Sequence, residues 1–158
     1  MIRPSKFADY GIVLMTSIAN SGDEQPSNAR VLSESSQLPL PTVSKILKRF
    51  SRAGLLVSHR GKQGGYTLAK RPRDITVAEM IAAVDGPIAL TACGPEAPGL
   101  CDLEPSCPVR SNWQRITAVV HTALEKLTLA DMTTPIPACD VSNDNMPQTP
   151  QLVELGRR

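Results

Sequence analysis

PTVSKILKRFSRAG, residues 41–54, carries two helical stripes at once. Val43, Ile46, Leu47 and Phe50 recur at i, i+3, i+4 and i+7, which places them on one face of a helix. Lys45, Lys48, Arg49 and Arg52 repeat that spacing on another face, and no acidic residue interrupts them. Pro41 suits a first helical turn and Gly54 suits the stop. A helix with one apolar and one cationic side is locked to a core and turned toward a polyanion.

Working upstream, residues 29–36 read as a short helix, broken by QLPLP at 37–41. SGDEQPSN at 21–28 is a loop, and KFADYGIVLMTSIAN at 6–20 is a helix with Phe7, Tyr10, Leu14 and Ile18 spaced by threes and fours. Downstream, LLVSHR (55–60) and GYTLA (65–69) are strands joined by the glycine-rich GKQGG. Thr76 to Glu79 spells a capping box, opening a helix of about ten residues that ends near Gly86-Pro87. Helix, short helix, turn, basic helix and hairpin is the order of a winged helix-turn-helix. The fold class expected is mainly α with a small β-hairpin wing, and residues 1–90 form the DNA-binding domain.

That order assigns roles. Lys45, Lys48, Arg49 and Arg52 supply phosphate contacts, which dominate affinity for double-stranded DNA. Thr42 and Ser44, small and near the helix start, are placed for base edges in the major groove. His59, Arg60, Lys62 and Gln63 occupy the hairpin tip, where a wing enters the minor groove. Charge is distributed accordingly. Residues 1–75 hold 12 Lys/Arg against 5 Asp/Glu, a net of +7, and residues 76–158 hold 5 against 10, a net of −5.

Other classes recede. Two Phe, two Tyr and one Trp argue against an aromatic pocket for a bulky ligand. No nucleotide-binding glycine motif or catalytic triad stands out, so no enzyme is expected. There is no signal-peptide core, and no run approaches the roughly 18 apolar residues of a membrane span. A cytoplasmic protein is expected.

Cys93, Cys101 and Cys107 fall within fifteen residues of one another, in a Pro- and Gly-rich loop at 91–107. Their gaps of seven and five residues lack the close C-x2-4-C pairs of zinc sites and suit an iron–sulfur cluster wrapped by backbone. Zinc, a thiol–disulfide switch and uninvolved thiols are the alternatives. Cys107 precedes Pro108 and is expected at the N-cap of a long helix, where the dipole favours its thiolate. A cluster needs a fourth ligand. Cys139 lies some thirty residues further on, His121 well along the helix, and His59 in the wing. Asp9, on the first helix, is the remaining candidate, with a surface carboxylate as its plain alternative.

The long helix is expected over residues 108–132, about 35 Å at 1.5 Å per residue. Val109, Trp113, Ile116, Val120, Ala123, Leu127 and Ala130 form a heptad-type seam about three heptads long, on a helix too long to bury fully against so small a domain. From Thr133 the chain turns Pro-, Asn- and Asp-rich, and 133–158 is expected to be a disordered tail.

KFADYG at 6–11, PTVSKILKRFSRAGLL, SHRGKQGGYTLA, ITVAEMIAAVDG and the three-cysteine loop together resemble the IscR/NsrR-type iron–sulfur winged-helix regulators, over residues 1–132. The segment CPVRSNWQRITAVVHTALEKLTLADM is most similar to the subgroup regulating SUF iron–sulfur assembly operons. The resemblance implies a homodimer joined by the long helix, a palindromic operator, and a cluster on Cys93, Cys101 and Cys107 whose state alters DNA affinity. It implies a repressor, with a nitric-oxide- or redox-sensing regulator as the alternative. Three residues after the last cysteine stands Arg110, where the IscR branch has histidine, and the first cysteine gap is seven rather than five. Asp9 matches the aspartate that completes the cluster in the nitric-oxide-sensing branch. Two-iron and four-iron clusters both stay open. Ser44 stands where IscR carries a base-discriminating glutamate, so the operator sequence does not carry over.

Overall fold

Each helix of the molecule begins at a residue that answers its unpaired amides or does without them. In the computed structural model, which describes residues 4–22, 26–61, 64–91, 101–102 and 106–134, Ser5 caps helix α1 (Lys6–Asn20) by accepting from the Ala8 amide. Asn28 caps α2 (Ala29–Ser36) in the same way, accepting from Arg30. Gln37 then takes a left-handed conformation at φ 55°, which ends α2 and turns the chain into α3 (Leu40–Arg52). Gly54, at φ 74°, follows α3 in the conformation that lets a helix stop without a side-chain clash.

The hairpin pairs β1 (Leu56–His59) with β2 (Gly65–Leu68) in antiparallel register, Leu56 opposite Leu68 and His59 opposite Gly65. The expected loop at 21–28 does more than connect. Ser27 pairs with Tyr66 on the free edge of β2, by hydrogen bonds of 2.9 and 3.0 Å. The approach leaves no room at Gly65, where a Cβ would lie 2.7 Å from the Ser27 carbonyl oxygen. Glycine is therefore required there.

The core lies between α1, α3 and α4 (Val77–Asp85), with the hairpin base closing one side. Val43, Ile46, Leu47 and Phe50 are fully buried, so the apolar stripe of α3 faces the core. In α1 the buried seam is Ala8, Gly11, Leu14, Met15 and Ile18, while the expected Phe7 and Tyr10 sit half-buried at its edge. The Thr76–Glu79 capping box is present with both of its reciprocal hydrogen bonds.

The expected single helix over 108–132 is two. Helix α5 (Arg110–Glu125) opens after a turn at Pro108 and Val109, so its N-cap is Val109 and not Cys107. At 1.5 Å per residue its 16 residues span about 24 Å. It stops because Thr128 and Asp131 form a second capping box, which starts α6 (Leu129–Thr133). Leu129 is fully buried and α6 packs on α1. Thr128 bridges Thr76, with Val77 donating to the Leu127 carbonyl and Leu129 to that of Ile75, both at 2.8 Å. The seam pattern ran through this break because a capping box inside an apolar repeat leaves the period intact. Among the described residues no helix is long and apolar enough to cross a membrane. Lys62, Gln63, Cys93, Cys139 and the expected tail beyond Thr134 lie outside the described residues.

Candidate nucleic-acid interface and cysteine centre

With its apolar side fixed against α1 and α4, α3 presents the opposite side outward. Lys45, Lys48 and Arg52 are exposed there, and Thr42 and Ser44 are half-buried in its first turns. Lys45 lies 5.1 Å above the centroid of the Phe7 ring, which fixes its direction without neutralising it. Arg49 differs from these three: its guanidinium donates to the Val84 carbonyl in the last turn of α4 and lies 5.9 Å from the Phe7 ring. One apolar side chain on α1 thus orients two of the four expected phosphate contacts. A lone Phe at the start of a helix carries no sequence signal for that.

His59 and Arg60 are exposed at the end of β1, and the His59 ring meets the Thr67 hydroxyl at 2.9 Å. A groove beneath the wing is lined by His59, Thr67, Lys70 and Arg71. Lys70 and Arg71 were not among the expected interface residues, although Lys70, Arg71 and Arg73 fall within four residues of sequence. Both are engaged, Lys70 with Glu79 at 2.8 Å and Arg71 with Asp74 at 2.7 Å. Arg73 is exposed beside them.

Cys101 and Cys107 are free, half-buried thiols just ahead of α5. The Cys107 carbonyl accepts from the Arg110 amide at 3.4 Å, which ties this thiol's backbone to the first turn of α5. Soft thiol donors suit iron–sulfur ligation, and partial burial leaves them reachable. Asp9 is exposed on the first turn of α1. Among the described residues no three His, Cys, Asp or Glu side chains come together to hold a metal, so Asp9 does not join Cys101 and Cys107 within one chain. His121 instead faces Glu125 at 3.4 Å on α5.

A family model described as "Rrf2: Iron-dependent Transcriptional regulator" matches residues 4–135. The chain belongs to the Rrf2 family. Protein rrf2 of Nitratidesulfovibrio vulgaris is 28% identical over 138 residues, covering 84% of this chain and 91% of that one. The structure of CymR, described as the global cysteine regulator of Bacillus subtilis, superposes with a TM-score of 0.66 at 27% identity, covering 84% of this chain and 97% of the other. IscR of T. potens superposes with a TM-score of 0.64 at 27% identity, covering 94% of each chain. Winged-helix fold and DNA-binding regulation therefore hold for this Rrf2 protein, which is a regulator and not an enzyme. The Rrf2 relatives include both an IscR and a cysteine regulator.

Proposed function

We propose that this Rrf2 protein is a cytoplasmic, homodimeric repressor of SUF-type iron–sulfur assembly genes that senses an iron–sulfur cluster held by Cys93, Cys101 and Cys107. The observation that carries the reading is the pair of free, half-buried thiols, Cys101 and Cys107, the second of which is hydrogen-bonded through its carbonyl to the first turn of α5. The iron-dependent description of the family and the likeness to IscR support it. A bound cluster supplies iron–thiolate bonds that oxidation or iron shortage breaks.

The chain's own residues do the rest. Cys107 transmits its position to α5 through the first turn. Helix α5 presents Ile116, Val119 and Ala123 outward at spacings of three and four, with Trp113 one turn earlier. None is buried, and Val119 is 64% exposed. A second copy of the chain covers this stripe. Two α3 helices then stand at a spacing set by the paired α5 helices, and a change at the cysteines alters that spacing. Lys45, Lys48 and Arg52 bind phosphates, and Thr42 and Ser44 meet base edges. His59 and Arg60, with Lys62 and Gln63, serve the wing.

Anaerobic purification of the wild-type chain is expected to give a brown protein with thiolate-to-iron charge-transfer bands. Replacing all three cysteines by serine is expected to abolish bound iron and to change operator affinity about tenfold or more, within the usual range of coupling between sites. Unchanged iron content and unchanged operator affinity in that variant would falsify the reading.

A second reading has its own support in the cysteine regulator of Bacillus subtilis and in the free state of the two described thiols. In it the cysteines form a reversible disulfide, or bind another metal, with no cluster. Alkylation mapping of Cys93, Cys101 and Cys107 before and after peroxide separates the two. A peroxide-induced disulfide in iron-free protein, with altered DNA affinity, favours the switch.

A further inference from the structure

Arg49 belongs by sequence to the cationic face of α3, yet its guanidinium is folded back onto α4. The acceptor, Val84, is the penultimate residue of that helix. Carbonyls in a last helical turn have no amide ahead of them and carry the negative end of the helix dipole. A planar, permanently charged guanidinium is well matched to them. The Phe7 ring, half-buried at the start of α1, lies beside the same group. The following residue, Asp85, accepts from both the amide and the hydroxyl of Ser5, the N-cap of α1. The end of α4 is thus pinned to α3 through Arg49 and to α1 through Ser5. Gly86, at φ 92°, ends the helix, and the chain runs on toward Thr91 and the cysteines.

We propose that Arg49 is a positioning residue: a strut that ties the orientation of α3 to the last turn of α4, so that displacement of this turn changes how α3 meets DNA. The inference rests on the DNA-binding reading of α3. A strut and a phosphate contact leave different signatures. Loss of a phosphate contact weakens binding to every duplex alike and lowers the salt dependence, whereas loss of a strut spoils the fit to the operator alone.

The test compares Arg49→Met with Lys48→Ala in the full-length protein. Affinities are measured over a salt series for the duplex upstream of its own gene and for a random duplex of equal length. Hydrogen exchange in the 82–88 segment is followed with and without the upstream duplex at saturation. For Arg49→Met the preference for the upstream duplex is expected to fall about fivefold or more, as for loss of a typical coupling. Its random-duplex affinity and salt slope stay at wild-type values. Slower exchange over 82–88 on adding duplex is expected in the wild type and not in the variant. Arg49→Lys keeps the charge but loses the planar fork, and is expected to show the same split in milder form should the Met variant fold poorly. Parallel weakening of both duplexes, with the slope reduced by about one as for a lost phosphate contact, overturns the strut. So does duplex-induced protection that persists in Arg49→Met. Absence of wild-type binding to either duplex at low salt overturns the DNA reading itself, and the strut with it.

Discussion

Lys48 and Arg49 are neighbours in sequence but face different surroundings, because a step of one residue turns a helix by about 100°. Lys48 points to solvent, so Lys48→Ala is expected to weaken all duplexes about equally and to lower the salt slope by about one. Titrating fluorescent duplex at several salt concentrations checks this; altered discrimination between sequences with an unchanged slope would show that the facing of α3 is wrong. On the proposed reading, discrimination is expected to respond instead to substitution of Thr42 or Ser44, half-buried at the start of the helix. Gly11 is decided by packing alone. A Cβ there would lie 2.8 Å from the tip of the fully buried Phe50 ring. Gly11→Ala is expected to destabilise the fold by about 1–3 kcal/mol through overpacking, as measured by urea unfolding. Nothing in the sequence set Gly11 apart from other helical small residues, since the ring it meets lies on another helix.

At the scale of elements, two capping boxes meet across one antiparallel bridge, Thr76 to Thr128. Partial burial of Glu79 raises its carboxyl's pKa, but the Lys70 ammonium and the Thr76 hydrogen bonds outweigh this and hold it below the ordinary value of 4.5. The Thr128 hydroxyl and amide likewise hold Asp131 below 3.8. Both groups are more acidic folded than unfolded. Their contribution is therefore present above the ordinary carboxylate range and is lost as the pH falls through the depressed values. Melting temperature is expected to fall more steeply below about pH 4.5 in the wild type than in Glu79→Gln. Equal slopes for the two proteins below that pH would count against the capping role. Thr76→Ala, which removes the cap acceptor, is expected to cost about 1 kcal/mol at neutral pH by thermal or urea melts. The first of these boxes was legible in Thr76-Val77-Ala78-Glu79. The second lay hidden inside a continuous heptad pattern, because Thr and Asp at 128 and 131 fall off the apolar positions.

At the scale of the molecule, α5 is the one described α-helix that contributes no buried residue to the core. Val120 and Leu124 border a small cavity shared with Ile81 of α4, whereas Ile116 and Val119 face solvent. Placing a charge in the outward stripe, as in Ile116→Glu, is expected to shift a dimer toward monomer in sedimentation equilibrium while leaving the helical circular dichroism intact. Operator affinity should then drop with it, since one α3 reads only half a palindrome. A variant that remains dimeric would place the interface elsewhere. The seam read from sequence counted Val120 with the outward residues. Only the packing of α4 against α5 shows that this valine turns inward.

The sequence by itself determined the order of elements as far as α4, the buried and cationic faces of α3, the hairpin and the three-cysteine spacing. These are set by short-range periodicity, turn chemistry and residue type, all contained within a few neighbouring residues. The tertiary structure alone decided that Arg49 turns to Val84, that Phe7 seats two cations and that Ser27 joins the hairpin edge. It also decided that the last helix breaks at Thr128 so that Leu129 can return to the core. Each of these joins residues distant in the chain, and a contact of that kind exists only once burial has brought the helices together.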